Sequence, residues 1–269
     1  MKIISDKNKL IYLLKKEKNL GFVPTMGDIH AGHISLIKKS IKQCQKTIVS
    51  IFINKPQFNR EVDYQKYPRR LDSDKFLLKK IKVNYLFLPT QKQIYPKGIN
   101  KNIKIHKFSR RLCGKYRPGH FKAVADVIDR FISIIKPKRI FFGEKDMQQL
   151  KIMENFIKKK YPNIKVISCK TIREKNGIAL SSRNKLLSHK EKIVASKIFR
   201  IIFKNKKKIL KKRLLIKVLK KKIYSLGCDK IDYIEILDVN KILKSHNAKN
   251  KNKIFIAYYL GGTRLIDNI

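Results

Sequence analysis

The stretch Gly21-Phe22-Val23-Pro24-Thr25-Met26-Gly27-Asp28-Ile29-His30-Ala31-Gly32-His33 decides how the rest of the chain is read. Gly21–Thr25 reads as a short strand running into a turn. From His33 to Gln43 apolar residues recur at helical spacing, with Ile34, Ile37 and Ile41 on one face. A helix N-terminus offers backbone N–H groups and a partial positive charge to a phosphate. Gly27 and Gly32 remove side chains where a phosphate approaches backbone. The imidazoles of His30 and His33, three residues apart, fall on one face of the first turn. There they are placed to donate hydrogen bonds to phosphate oxygens as charge builds in a transition state. Taken alone, this HxGH element is equally a metal-binding pair or two surface histidines. Its position directly after a strand favours a nucleotide.

Outward from this stretch the same rhythm repeats. Thr47–Ile53 is a continuous apolar run suited to a buried parallel strand. Leu71–Ile81 has helical spacing and Tyr85–Leu88 reads as the next strand. Ala123–Ile135 is helical, with Pro137 helping to end it. Arg139–Phe142 is a strand, Met147–Lys159 a helix and Lys165–Ser168 a strand. The alternation predicts an α/β fold built on a doubly wound, Rossmann-like parallel sheet, with ligands at the carboxyl ends of its strands. Near Glu174–Gly177 the organisation changes. A long helical stretch follows Ser188, dense in lysine from Phe203 to Ile223, with Ile209, Leu210, Leu214, Val218 and Leu219 as its apolar positions. Tyr233–Val239 and Ile254–Leu260 read as strands. The expected division is therefore a larger domain over residues 1–173 and a smaller C-terminal α+β domain over residues 174–269.

Lys and Arg total 66 against 19 Asp and Glu, a formal charge of +47. A surface so basic attracts polyanions, and an RNA-binding protein is one reading of it. Lysine, however, occurs in nearly every block of ten residues rather than in one patch or tail. We read the excess as compositional, the mark of a coding sequence rich in A and T, with weak non-specific polyanion binding as its consequence. The basic helical stretch could meet RNA or an anionic membrane. We read it instead as a surface helix packing its apolar stripe on its own domain. Cys44, Cys113, Cys169 and Cys228 are far apart and form no CxxC pair, so neither a metal site nor a disulfide framework is expected. Reduced thiols fit a cytoplasmic protein. The N-terminus lacks a signal-peptide apolar core, and no apolar run approaches the ~18 residues of a membrane span.

Two further elements carry phosphate chemistry. Leu180-Ser181-Ser182-Arg183-Asn184 places two hydroxyls beside a guanidinium, as a phosphate clamp would; taken alone, the pentapeptide reads better as a polar loop or helix cap. Gly143-Glu144-Lys145-Asp146 follows an apolar strand directly. Its lysine can reach a phosphate and its carboxylates a ribose or a metal-bound water, or the segment is a charged turn. An early HxGH loop with a late Ser/Lys/Arg clamp resembles the nucleotidyl-transferase superfamily that includes the class I aminoacyl-tRNA synthetases.

The resemblance narrows to the pantothenate synthetase (pantoate–β-alanine ligase) family. It rests on VPTMGDIHAGHISL at 23–36, SIFINKPQF at 50–58, YPRRLDSD at 67–74, RPGHF at 117–121, FFGEKDMQQL at 141–150, IREKNGIALSSRN at 172–184 and LGGTRLIDN at 260–268, in family order over essentially the whole chain. The resemblance implies condensation of (R)-pantoate with β-alanine, driven by cleavage of ATP to AMP and pyrophosphate with Mg²⁺, through a pantoyl adenylate. It implies an ATP site made of Met26, Gly27, Asp28, Ile29, His30, Ala31, Gly32 and His33, completed by Gly143, Glu144, Lys145, Asp146, Ile172, Leu180, Ser181, Ser182 and Arg183. His33, His30, Lys145 and Arg183 would be catalytic. Gln57 would bind pantoate and then β-alanine, and Gln149 pantoate; two amides recognise hydroxyls and a carboxylate without adding charge. A homodimer through the larger domain, and closure of the second domain over a water-sensitive intermediate, are further implications. Like-charged subunits repel, so salt or polyanions are expected to favour assembly.

Departures from the family pattern are local. Asn54-Lys55-Pro56-Gln57-Phe58 carries its proline one place later than usual, Ala123 replaces a glycine, and Asp126 replaces a threonine. Ser73 replaces one of an acidic pair expected near Mg²⁺, leaving Asp74 as the candidate metal ligand.

Overall fold

A computed structural model describes residues 1–212, 214–240, 242 and 252–269. The chain divides into two compact units, one formed by Met1–Glu144 with Ile152–Lys170, the other by Lys145–Lys151 with Thr171–Ile269.

In chain order the elements of the sheet-bearing first part are β1 (Lys2–Ile4), α1 (Lys7–Leu14), β2 (Leu20–Thr25), α2 (Ala31–Gln43), β3 (Lys46–Ile51), α3 (Glu61–Gln65), α4 (Leu71–Lys80), β4 (Tyr85–Phe87), α5 (Gln91–Ile94), α6 (Cys113–Tyr116), α7 (His120–Ile135), β5 (Arg139–Gly143), α8 (Met147–Lys160) and β6 (Lys165–Cys169). The six strands pair in the order β1-β4-β3-β2-β5-β6, every pair parallel. The doubly wound expectation is met. The strand order reverses at β2, which has β3 on one side and β5 on the other. Open α/β sheets bind ligands at such a switch point, outside the carboxyl ends of the strands, and here that is where the residues after Thr25 and Gly143 emerge.

Strand alternation builds the core on both faces. Val23 joins Ile37, Val49, Leu78, Leu86 and Phe141 on one face. Phe22 points the other way and meets Phe131 of α7 at 5.5 Å between ring centroids, with Phe52 and Phe87 also edge-on to Phe131. α2 lies unusually close to β2 at Gly21. A Cβ there would come within 2.2 Å of Ser40 Oγ and 2.8 Å of Cys44 Sγ.

The second unit contains α9 (His189–Lys211), α10 (Leu215–Ser225) and an antiparallel sheet of β7 (Lys230–Asp238), β8 (Asn252–Leu260) and β9 (Thr263–Asn268). Ser188 caps α9 through a reciprocal pair with Glu191. The lysine-rich stretch read as one helix is two. α9 ends at Lys211, Lys212 is extended (φ −122°, ψ 94°), and α10 begins at Leu215; residue 213 lies outside the described residues. The break shifts the helical phase, so the expected stripe is only partly buried. Ile209 and Leu219 enter the core, Leu210 packs against it, and Leu214 (81% exposed) and Val218 face solvent.

All four cysteines are buried and free. Among the described residues no helix is long and apolar enough to cross a membrane. Replacing Gly21 by Ala is expected to force α2 off β2 and lower stability by about 1–3 kcal/mol, as overpacking does. Denaturant unfolding checks this, and an unchanged midpoint would show that the helix yields freely.

Candidate active site

The loop after β2 is fixed by a carboxylate distant in sequence. Asp74, on the first turn of α4 and only 2% exposed, accepts the Asp28 amide at Oδ2 (2.9 Å) and the Ile29 amide at Oδ1 (2.7 Å). Gly27 precedes this pair with φ +83°, and a Cβ on it would lie 3.1 Å from Asp74 Oδ2 and 3.2 Å from Ile51 Cγ2. Its glycine is therefore required by the packing of Asp74 and by the left-handed backbone. Asp28 is itself buried, has φ 51°, and lies 4.0 Å from Arg70 Nε.

The two histidines hold the start of α2. His30 is the N-cap, and its Nδ1 accepts the Gly32 amide (3.1 Å); His33 Nδ1 accepts the His30 amide (3.4 Å). The rings stack with centroids 4.1 Å apart. A ring nitrogen that accepts carries no proton, so this reciprocal cap selects the neutral tautomer with hydrogen on Nε2. Each imidazole becomes an Nε2–H donor. Several amides of this loop are already engaged. The amides of Gly27, Asp28, Ile29, His30 and Gly32 bond to Thr25 Oγ1, Asp74, Asp74, His33 and His30 in turn. The imidazoles are thus candidate phosphate donors at this loop alongside the N-terminus of α2.

Gln57 closes a 3-10 turn, Lys55–Gln57, with the displaced Pro56 in its first turn, where a proline is tolerated. Its side-chain oxygen accepts from Asn54 Nδ2 (3.1 Å) and its Nε2 points at Met26 Sδ (3.1 Å). Its backbone carbonyl lies 2.9 Å from His120 Nδ1 and accepts from Arg117 (3.2 Å). A carbonyl only accepts, so His120 donates from Nδ1, and its Nε2 accepts from Arg117 Nη1 at 3.1 Å. The shifted proline leaves Gln57 held at both ends. Gln57 thus lies beside the 26–33 loop.

The second unit holds Lys145, Asp146, Gln149, Ile172, Leu180, Ser181, Ser182 and Arg183, while Gly143 and Glu144 belong to the first. Arg173 and Ala179 form an antiparallel bridge, and the Leu180 amide donates to the Ile172 carbonyl (3.0 Å), so Ile172–Leu180 is a folded-back ribbon. Ser181 caps the 3-10 turn Ser182–Leu186 by accepting the Arg183 amide (3.3 Å), while Ser182 is buried. Asn184 ties the turn to Glu174 (2.8 Å). The Lys145 carbonyl accepts from Asn268 Nδ2 (2.9 Å), and its ammonium lies 3.7 Å from Asp146. Lys145, Ser181 and Arg183 line one shallow pocket together with Tyr258, Arg264 and Asp267. Sequence reasoning missed the last three and Arg173, which forms a bidentate pair with Asp267 (2.6 and 2.9 Å) and lies 4.5 Å over the Phe199 ring. LGGTRLIDN contained two of them, yet nothing in it signalled a cavity. Glu144, Gly143 and Gln149 are half-buried at the end of β5 and on the first turn of α8.

The donor set does not favour a protein-held metal. Among the described residues no three His, Cys, Asp or Glu side chains cluster to hold an ion. Asp74, the expected Mg²⁺ ligand, instead has each oxygen on a backbone amide. Asp74→Asn, which keeps one acceptor and loses the other, is expected to cost about 1–3 kcal/mol and to leave the Mg²⁺ requirement of turnover within about twofold. A Mg²⁺ titration displaced by an order of magnitude or more would return Asp74 to the metal.

These features coincide with a family likeness over the full chain. A family model described as pantoate–β-alanine ligase matches residues 2–269. The chain is 40% identical over 265 residues to the pantothenate synthetase of Sulfurihydrogenibium sp. (strain YO3AOP1), covering 97% of this chain and 95% of that one. Among solved structures it is similar to a pantoate–β-alanine ligase from Francisella tularensis crystallised with β-γ ATP and β-alanine, at 37% identity and TM-score 0.83, covering 100% and 97% of the two chains. It is also similar to pantothenate synthetase from Thermus thermophilus, at 30% identity and TM-score 0.91, covering 100% and 99%. The chain belongs to the pantoate–β-alanine ligase family.

Proposed function

We propose that this chain condenses pantoate with β-alanine, converting ATP to AMP and pyrophosphate through a pantoyl adenylate. The observation that carries the proposal is the reciprocal histidine cap. It presents two Nε2–H donors at the switch point of a parallel sheet, beside an amide suited to an acid substrate. In the first step the pantoate carboxylate attacks the α-phosphate. That step calls for alignment and charge stabilisation more than acid–base work. His30 and His33 donate to phosphate oxygens as negative charge develops, and the loop Met26–His33 seats the nucleotide. Lys145, Ser181, Ser182 and Arg183 are assigned to ATP phosphates, with Gly143, Glu144, Asp146, Ile172 and Leu180 as further nucleotide contacts. Gln57 and Gln149 bind pantoate, and Gln57 takes β-alanine in the second step, when its amine attacks the acyl carbon and AMP leaves.

Mg²⁺ enters this scheme as part of the MgATP substrate, on its phosphate oxygens. The larger domain, over residues 1–173, is assigned ATP and pantoate binding, and the smaller, over residues 174–269, the part of a lid. A cytoplasmic homodimer belongs to the same proposal. Nothing in the family match or the similar structures favours the RNA-binding alternative.

Purified protein given ATP, Mg²⁺, pantoate and β-alanine is expected to release AMP and pantothenate; without β-alanine, pantoyl adenylate should accumulate on the protein. No product under either condition, with RNA affinity that falls steeply with salt, would instead establish the rival. His33→Ala is expected to lower turnover by roughly two orders of magnitude, the usual loss for one transition-state donor. Near-normal turnover would remove His33 from the mechanism. Gln57→Ala should raise the pantoate KM with little change in that for ATP. Sedimentation at low and high salt checks the dimer, which charge repulsion should weaken at low salt.

A further inference from the structure

Tyr95 lies 41 positions from Asn54 in the chain and donates its O–H to Asn54 Oδ1 at 2.6 Å, in a buried contact. Asn54 is buried too, and its Nδ2 reaches both the Ala123 carbonyl (3.3 Å) and Gln57 Oε1 (3.1 Å). The direction of this chain is decided at one end. A backbone carbonyl can only accept, so the atom of Asn54 facing Ala123 must be its NH₂. Asn54 Oδ1 then faces Tyr95, which must donate, and burial pushes the Tyr95 hydroxyl up, keeping its proton in place. The atom of Gln57 nearest Asn54 Nδ2 must in turn be an acceptor, its oxygen. Gln57 is left with its NH₂ directed away from Asn54, on the side of Met26.

Tyr95 is itself held in place. Arg130 lies 4.5 Å over its ring and donates to the Ile94 (2.8 Å) and Gly98 (2.9 Å) carbonyls on either side. Asp126 orients Arg130 at 2.7 Å and accepts the Asn100 amide at 2.9 Å. Two departures from the family pattern, Ala123 and Asp126, thus sit on α7 at the two ends of this support.

We propose that Tyr95 and Asn54 are positioning residues that fix the polarity of the Gln57 amide, so that it meets the acid substrate with N–H donors only. The substrate feature selected is an acceptor oxygen, of a carboxylate or a hydroxyl, at the Gln57 position. In the pantoate step, a group there that can only donate is refused. This rests on the pantoate-binding role given to Gln57 above.

Two variants test it. Tyr95→Phe removes only the hydroxyl and keeps the ring under Arg130. Asn54→Asp puts an acceptor against the Ala123 carbonyl and Gln57 Oε1, driving the Gln57 amide to turn over. With pantoate and MgATP as probes, Tyr95→Phe is expected to raise the pantoate KM about five- to tenfold, one hydrogen bond's worth. Asn54→Asp should raise it further, with the ATP KM within about twofold for both. The Gln57 side-chain amide resonance, assigned by its loss in Gln57→Ala, should move in both variants, while thermal unfolding remains cooperative. Equal rises in both KM values, or a stationary Gln57 resonance, would overturn the proposal. A wild-type protein that turns over no pantoate would instead defeat the proposed function. The resonance shift would still decide the polarity claim.

Discussion

A carboxylate buried from water must satisfy both oxygens, and Asp74 does so on two consecutive backbone amides of a loop 45 residues earlier in the chain. Those amides are buried as well, so donor and acceptor each depend on the other. The pairing fixes the backbone at Asp28 and Ile29, which fixes where His30 stands, and His30 caps α2. The left-handed turn at Gly27, the stacked imidazoles and the tautomer that makes them donors all follow from one side chain on α4. Residues in unfavourable backbone regions, such as Asp28 at φ 51°, persist only where surroundings determine them this completely.

Much of the sheet was legible because its strands are continuous apolar runs between helices of regular period. Thr47–Ile53 and Arg139–Phe142 lie within a residue or two of the observed β3 and β5. β1 is not legible: three residues with only Ile4 buried carry no periodic signal. β9 escapes as well, because Thr263–Asn268 mixes charge with apolar residues and gains its identity by pairing with β8. The HxGH and Ser-Ser-Arg segments announce themselves by type and order. Asp74 does not disclose its task, since a carboxylate looks the same in sequence whether it holds a cation or an amide. The link from Tyr95 to Gln57 crosses three separate segments and leaves no local pattern.

The basic excess is distributed as a solvated surface. On α9 and α10, Lys204, Lys207, Lys208, Lys211, Lys217, Lys220 and Lys221 are exposed, while Ile209, Leu219 and Ile223 are buried. The long aliphatic stems of lysine cover apolar surface while their charges stay in water. Among the described residues no lysine or arginine is buried.

The sulfur of Met26 bears on how tightly the Gln57 amide is kept when no substrate is present. A thioether is a feeble acceptor, so it steadies the NH₂ group without competing for it. In the pantoate-binding role proposed for Gln57, an incoming oxygen would win that hydrogen easily, at small cost of exchange. A hydroxyl or carbonyl in the same place would grip the amide harder and release it more reluctantly. Softness at position 26 thus makes the waiting state of the pocket easy to leave.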